Sequence, residues 1–150
     1  MFAADHHWMN QAFTLARRAE SIGEVPVGAV LVQNERVLGA GFNTMIRDQD
    51  PTAHAEINAL RMAARAQNNY RLPGSTLYVT LEPCSMCAGA IVLARVERVV
   101  FAASDPKTGA AGSVFQILDH PTLNHRCEVE GGVLAERSSA MLKAFFRQRR

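Results

Sequence analysis

The chain has 150 residues, 48% hydrophobic and 20% charged, with a formal net charge of +2. That length fits one domain over residues 1–150, and that balance excludes a disordered chain. No apolar run approaches the roughly 18 residues of a membrane span, and "MFAADHHWMN" lacks the basic flank and apolar core of a secretory signal, so a cytoplasmic protein is expected.

In chain order, "HHWMNQAFTLARRAESIG" puts Trp8, Ala12, Leu15 and Ala19, with Met9, Phe13 and Ala16, on one broad face. This is helical spacing, and Gly23 is its expected stop. "VPVGAVLVQ" and "RVLGAGFN" read as strands joined by a tight turn at Asn34-Glu35. "DPTAHAEINALRMAARAQ" predicts a helix capped by Asp50 or Thr52, with Pro51 in its first turn. "STLYVTLEP" is a strand, "CSMCAGAIVLAR" a helix led by Pro83, and "RVVFAAS" a strand. "DPKTGAAGS" is a loop of the functional kind. "SVFQILDH" predicts a short helix, "RCEVEGG" a fifth strand, and "VLAERSSAMLKAFFRQRR" a final helix. Strands alternating with helices predict an α/β domain with helices on both faces of a mixed five-stranded sheet.

The three cysteines are Cys84, Cys87 and Cys127, an odd count that argues against a disulfide scaffold. Cys127 reads as a buried small hydrophobe on a strand. Cys84 and Cys87, spaced i and i+3, fall at a strand-to-helix junction. His54 and Glu56 fall at another. Helix starts carry unpaired N–H groups and partial positive charge, which favour the thiolates that bind metal. Two thiolates and one imidazole suit zinc at three corners of a tetrahedron. A fourth position left open is the mark of a catalytic site, and Glu56, in a first helical turn, could reach over it. The cysteines alone also fit a thioredoxin-like redox pair, or a structural zinc closed by His120, His125 or Cys127. A redox pair would leave His54 and Glu56 idle. The segment from Arg137 to Arg150 holds five basic residues and no acidic one. It is either a solvated helix end or a surface for phosphates.

The segments "HAE" and "PCSMC" together resemble the H-x-E and P-C-x-x-C signature of zinc-dependent nucleobase deaminases. The match is closer still to the bacterial tRNA-specific adenosine deaminases. It runs through "EVPVGAVLV", "DPTAHAEINALR", "NYRLPGSTLYVTLEPCSMCAGA", "RVVFAASDPKTGAAGS" and "NHRCEVEGGVLAERSSAMLKAFFRQRR", from about Trp8 to the C-terminus. The resemblance implies a three-layer α/β/α fold of the cytidine-deaminase kind and one zinc ion per subunit. It also implies a homodimer and hydrolytic conversion of the wobble adenosine of a tRNA anticodon to inosine. His54, Cys84 and Cys87 would hold the metal, and Glu56 would shuttle protons between the metal-activated water and the base. Asn43 and the backbone at Ala55 would meet the base, with Val27 as an apolar wall. Asp105 and Lys107 would lie beside the target nucleotide. His120, Asn124, Phe145, Arg147 and Arg149 would approach the RNA. A deaminase of a free base or nucleoside and a zinc-stabilised RNA-binding module are the rival readings.

Overall fold

The computed structural model describes residues 2–149, so Arg150 of the basic segment lies outside them. The elements run α1 (Phe2–Ser21), β1 (Gly28–Gln33), β2 (Arg36–Phe42), α2 (Met45–Asp48), α3 (Ala55–Gln67), β3 (Thr76–Leu81), α4 (Ser85–Leu93), β4 (Arg98–Ala103), β5 (Glu128–Glu130) and α5 (Ala135–Gln148). The five strands form one sheet in the order β2-β1-β3-β4-β5. β1 is antiparallel to both β2 and β3, while β3, β4 and β5 run parallel. The sheet is therefore mixed, as the sequence leads one to expect. Asn34 and Glu35 both take positive φ, 50° and 62°, which closes the β1–β2 hairpin in two residues.

Alternation along the strands sends side chains to two cores. Ala29, Leu31, Leu77, Val79, Val99 and Phe101 face α3 and α4, where they meet Leu60 and Ile91. Val30, Val32, Tyr78, Val100 and Ala102 face the other way, onto Met9 and Phe13 of α1 and, less completely, Met141 of α5. Phe13 is fully buried, and removing its ring would cost about 3–5 kcal/mol. α1 is held further by a polar anchor. Asp5, only 3% exposed, accepts from the Tyr78 hydroxyl at 2.9 Å and from both terminal nitrogens of Arg98 at 2.8 and 2.9 Å.

Close approach of β2 to α3 places the metal-site junction. A Cβ at Gly41 would sit 2.5 Å from the Ala55 carbonyl oxygen, so the strand lies directly against the first turn of the helix. Asn58 adds bonds from its amide nitrogen to the Phe42 carbonyl (2.8 Å) and the Thr44 hydroxyl (3.0 Å).

Two local expectations are corrected, and one element is added. Neither Asp50 nor Thr52 caps α3; the Asp50 carboxylate accepts from the Thr52 N–H at 2.9 Å and hydroxyl at 2.8 Å in a turn of its own, and His54 is the N-cap residue. "SVFQILDH" forms turns rather than a helix. Gly112 beside it has φ +123°, and the N–H groups of Val114 and Phe115 both return to the Gly109 carbonyl. Val114 and Phe115 are exposed and only Leu118 is fully buried, so no apolar face exists for a helix to bury. Finally, α2 was not anticipated: the buried Glu24 carboxylate accepts the Ile46 and Arg47 N–H groups at 3.2 and 2.8 Å, holding that short turn in place.

Candidate metal and active site

Two helix starts, α3 and α4, bring the chemistry together. His54 is the N-cap of α3 and Cys84 the N-cap of α4, both with extended backbone, and neither side chain caps its own helix. Their side chains are thereby free to point at each other. Cys87, in the first turn of α4, is fully buried. His54 Nδ1 lies 3.7 Å from Cys84 Sγ and 3.5 Å from Cys87 Sγ. The three ligand atoms all fall within 4.8 Å of one another, the one such group of three or more metal-ligating side chains among the described residues.

These distances permit a direct fit test. Zinc–nitrogen and zinc–sulfur bonds of about 2.05 and 2.3 Å at a tetrahedral angle place nitrogen and sulfur about 3.6 Å apart. The observed separations bracket that value, so the three residues are able to hold a metal ion of this kind.

Proton affinities at the site are strongly perturbed. The Cys84 sulfur, hydrogen-bonded first by the neighbouring Cys87 and then by His54, is pulled down to about 4. Cys87 moves up, because it shares that bond with Cys84 and is buried. His54 moves up chiefly through its bond with Cys84. Burial raises the Glu56 carboxyl to about 7, although its own backbone N–H and the nearby His54 oppose the rise. The shared sulfur–sulfur bond thus favours a proton on Cys87 over one on Cys84.

The group opens into a cavity of about 670 Å³. Among the sequence candidates, Val27, Asn43, His54, Glu56, Cys84, Asp105 and Lys107 line it. Asn43 is more constrained than an isolated base reader: its amide oxygen accepts the Ala55 N–H at 2.8 Å and its amide nitrogen donates to the Val25 carbonyl at 3.0 Å. One amide hydrogen and one lone pair remain for a ligand. Ala55 is fully buried and does not line the cavity. Asp105 accepts from the N–H of Lys107 (3.0 Å) and from the Thr108 hydroxyl (2.8 Å), which shapes its turn.

The remaining candidates lie elsewhere. His120 and Asn124 are exposed on the turns before β5 and do not line the cavity. Arg147 sits on an adjoining groove of α5 that shares Ser139 and Lys143 with the cavity. Phe145 is 4% exposed, with the Arg149 guanidinium 3.9 Å from its ring centre. Its neighbour Phe146, 48% exposed, lines the cavity instead. Ser139, Leu142, Lys143 and Phe146 are the α5 residues at the cavity, spaced i, i+3, i+4, i+7. That spacing is visible in the sequence and was the signal that separates Phe146 from Phe145. Glu82 is a further lining residue that no spacing reveals. Burial is the largest influence on its carboxyl and pushes it up, but the Ser113 hydroxyl and three backbone N–H groups outweigh that and hold it below the ordinary range.

Side chains able to hold a metal at paired helix starts, with a buried carboxylate beside them on a mixed three-layer sheet, are the arrangement expected of a zinc-dependent deaminase. A profile of the MafB19-like deaminase family matches residues 3–150. The chain is 56% identical to the tRNA-specific adenosine deaminase of Haemophilus influenzae, over 97% of this chain and 85% of that protein. It is 49% identical to the enzyme of the same name from Bacillus subtilis, over 97% and 91%. A solved structure from work on A-to-I editing by tRNA:A34 deaminases at the wobble position superposes with a TM-score of 0.87 and 46% identity, covering 91% of this chain and 99% of that one. The chain belongs to the family of tRNA-specific adenosine deaminases.

Proposed function

We propose that the protein hydrolytically deaminates adenosine to inosine at the wobble position of a tRNA anticodon, as a cytoplasmic homodimer carrying one zinc ion per subunit. The observation that carries the reading is the His54–Cys84–Cys87 triangle, at tetrahedral nitrogen–sulfur spacing, with buried Glu56 beside it at the cavity. Zinc bound there supplies a water acidified from about 15.7 toward neutrality.

The chain's own residues do the rest. Deamination adds water at C6 of adenine and expels the 6-amino group as ammonia. Protons must therefore leave the water and arrive at ring N1 and at the amine. Glu56 moves them: a buried carboxyl beside the metal site is placed to accept a proton and return it. Val27 and Leu81 give the base an apolar wall, and the free amide hydrogen of Asn43 is a donor to its edge. Anticodon loops offer unpaired bases that enter such a pocket at low cost. Phe146 presents a ring on which a neighbouring base can stack, and Lys107 and Lys143 stand beside the cavity for phosphates. Tyr70 and Leu93, 71% and 70% exposed, are apolar side chains that a second subunit would cover.

The test is inosine formation on an unmodified tRNA with an ACG anticodon, beside free adenosine, cytidine and guanine. Inosine at the wobble position and nowhere else is expected. Ammonia released from a free base or nucleoside, with the tRNA untouched, overturns the substrate.

A further inference from the structure

Glu82 is a buried anion, 3% exposed, one residue beyond β3 and two before Cys84. Among the described residues no basic side chain forms an ion pair with it. Its charge is met instead by the loop that follows β4. The Asp105 N–H reaches its Oε1 at 2.9 Å; the Ala111 and Ser113 N–H groups reach Oε2 at 2.9 and 3.1 Å; the Ser113 hydroxyl closes on Oε1. A Cβ at Gly109 would overlap the carboxylate, so the loop wraps it at backbone distance. The same short segment is tied twice more: the Glu82 N–H donates to the Ala103 carbonyl and the Ala110 N–H to the Pro83 carbonyl, both at 2.8 Å. Cys84 and Gly109 also form an isolated bridge.

This loop is one wall of the cavity. Ser104 to Thr108 line it, facing Glu56 and His54. Apart from buried Ala110 and its bond to Pro83, the carboxylate is the loop's main inward partner, since Gly112 and Ser113 are exposed. A buried charge met only by one loop's donors ties that loop's position to the charge, because each donor withdrawn leaves the anion less compensated.

We propose that Glu82 is a positioning residue: its buried carboxylate templates the 105–113 loop and so sets the distance from the wall carrying Asp105 and Lys107 to the metal-ligating Cys84. This rests on the deaminase reading of the site. Glu82 is not one of the three metal-ligating side chains, and its carboxylate oxygens are taken up by the loop's donors; it fixes the width of the opening that the target nucleotide must enter. Its loss should weaken substrate engagement more than the chemical step.

The experiment is Glu82→Gln, which keeps the shape, removes the charge and turns an NH₂ donor toward N–H donors. Zinc content, amide hydrogen exchange of residues 105–113, and kcat and KM on an anticodon stem-loop are measured on the zinc-loaded protein. Zinc per chain is expected to stay at the wild-type level. Exchange at Asp105, Ala111 and Ser113 should speed by about tenfold, and KM should rise by about tenfold with kcat changed less than about threefold, the scale of one charged hydrogen bond. Ser113→Ala, which removes one exposed donor and leaves the anion in place, should give a smaller shift in the same exchange pattern. Unchanged exchange at 105–113 in both variants overturns the proposal, as does a fall in kcat that tracks zinc loss at constant KM. If the wild-type protein left the stem-loop unedited, the substrate reading would fail while exchange and zinc content still decided the role of Glu82.

Discussion

At the scale of single residues, the proposed reaction gives holding the metal and moving protons to different side chains. Glu56 lies two residues after the ligand His54 but is not itself one of the three ligands, and its carboxyl is buried. Glu56→Gln should therefore keep zinc at the wild-type stoichiometry and lower kcat by about 10²–10⁴-fold, the usual contribution of a positioned acid–base. Metal analysis beside single-turnover kinetics checks this; a near-normal rate would remove Glu56 from the proton path. The ligands carry a second expectation. Cys87 holds its proton in the free cluster because Cys84 and burial raise it, yet it must bind as thiolate. Affinity should thus rise with pH, by about tenfold per unit for each proton released, and His54, also raised, adds to the slope where it is still protonated. Competition against a chromophoric chelator at several pH values measures it, and a flat profile would contradict the assignment of these protons.

Cys84 and Cys87 were legible through their C-x-x-C spacing at the β3–α4 junction. α2 with its turn, not a strand, leads into the helix of His54, which has no spacing of its own and was legible only together with Glu56 and that pair. Glu82 was not, since its partners lie 23 to 31 residues onward in a loop without periodicity. The same limit explains Phe145 and Phe146. Both look alike in a basic segment, and only the helical phase of Ser139, Leu142 and Lys143 tells which ring faces the cavity.

At the scale of elements, alternation and helical period predicted all five strands and four of the five helices, because every one but the short edge strand β5 buries a continuous apolar face; the helix expected at "SVFQILDH" had none to bury. α2 escaped notice because four residues have no period and its N–H partner, Glu24, is more than twenty positions away. The docking of α1 makes a pH prediction. The Arg98 guanidinium is the largest influence on Asp5 and lowers its carboxyl; burial opposes this, and the Tyr78 hydroxyl helps the arginine. Asp5 is shifted down on folding, so its contribution is whole above the ordinary carboxyl value of about 4 and is lost as pH falls through the lower folded value. Asp5→Asn should cost about 2 kcal/mol at pH 7, the scale of hydrogen bonds to a charged group, and the gap to wild type should close as pH drops below about 4. Urea unfolding of both proteins at pH 7 and pH 3 reads the difference; a gap that stays constant would show that the charge on Asp5 contributes nothing.

At the scale of the whole molecule, a net charge of +2 is too small to draw a polyanion by itself. Attraction must come from local concentration. Lys107 and Lys143 stand at the cavity from two separate elements, and Arg147 continues along α5 on the adjoining groove, which shares Ser139 and Lys143 with the cavity. A strand whose base enters the cavity would pass these charges in turn. If each neutralises one phosphate, affinity should fall with salt at a log–log slope of about −0.7 per contact, or about −2 for the three together. Replacing Lys143 with Ala should flatten the slope by about 0.7 while leaving zinc content and the rate at saturating substrate near wild type, because a phosphate contact is made equally in the bound and reacting states. Fluorescence anisotropy of an anticodon stem-loop from about 50 to 300 mM salt decides the matter. A slope near zero would mean that the basic residues of α5 are a solvated helix end and that shape alone holds the RNA.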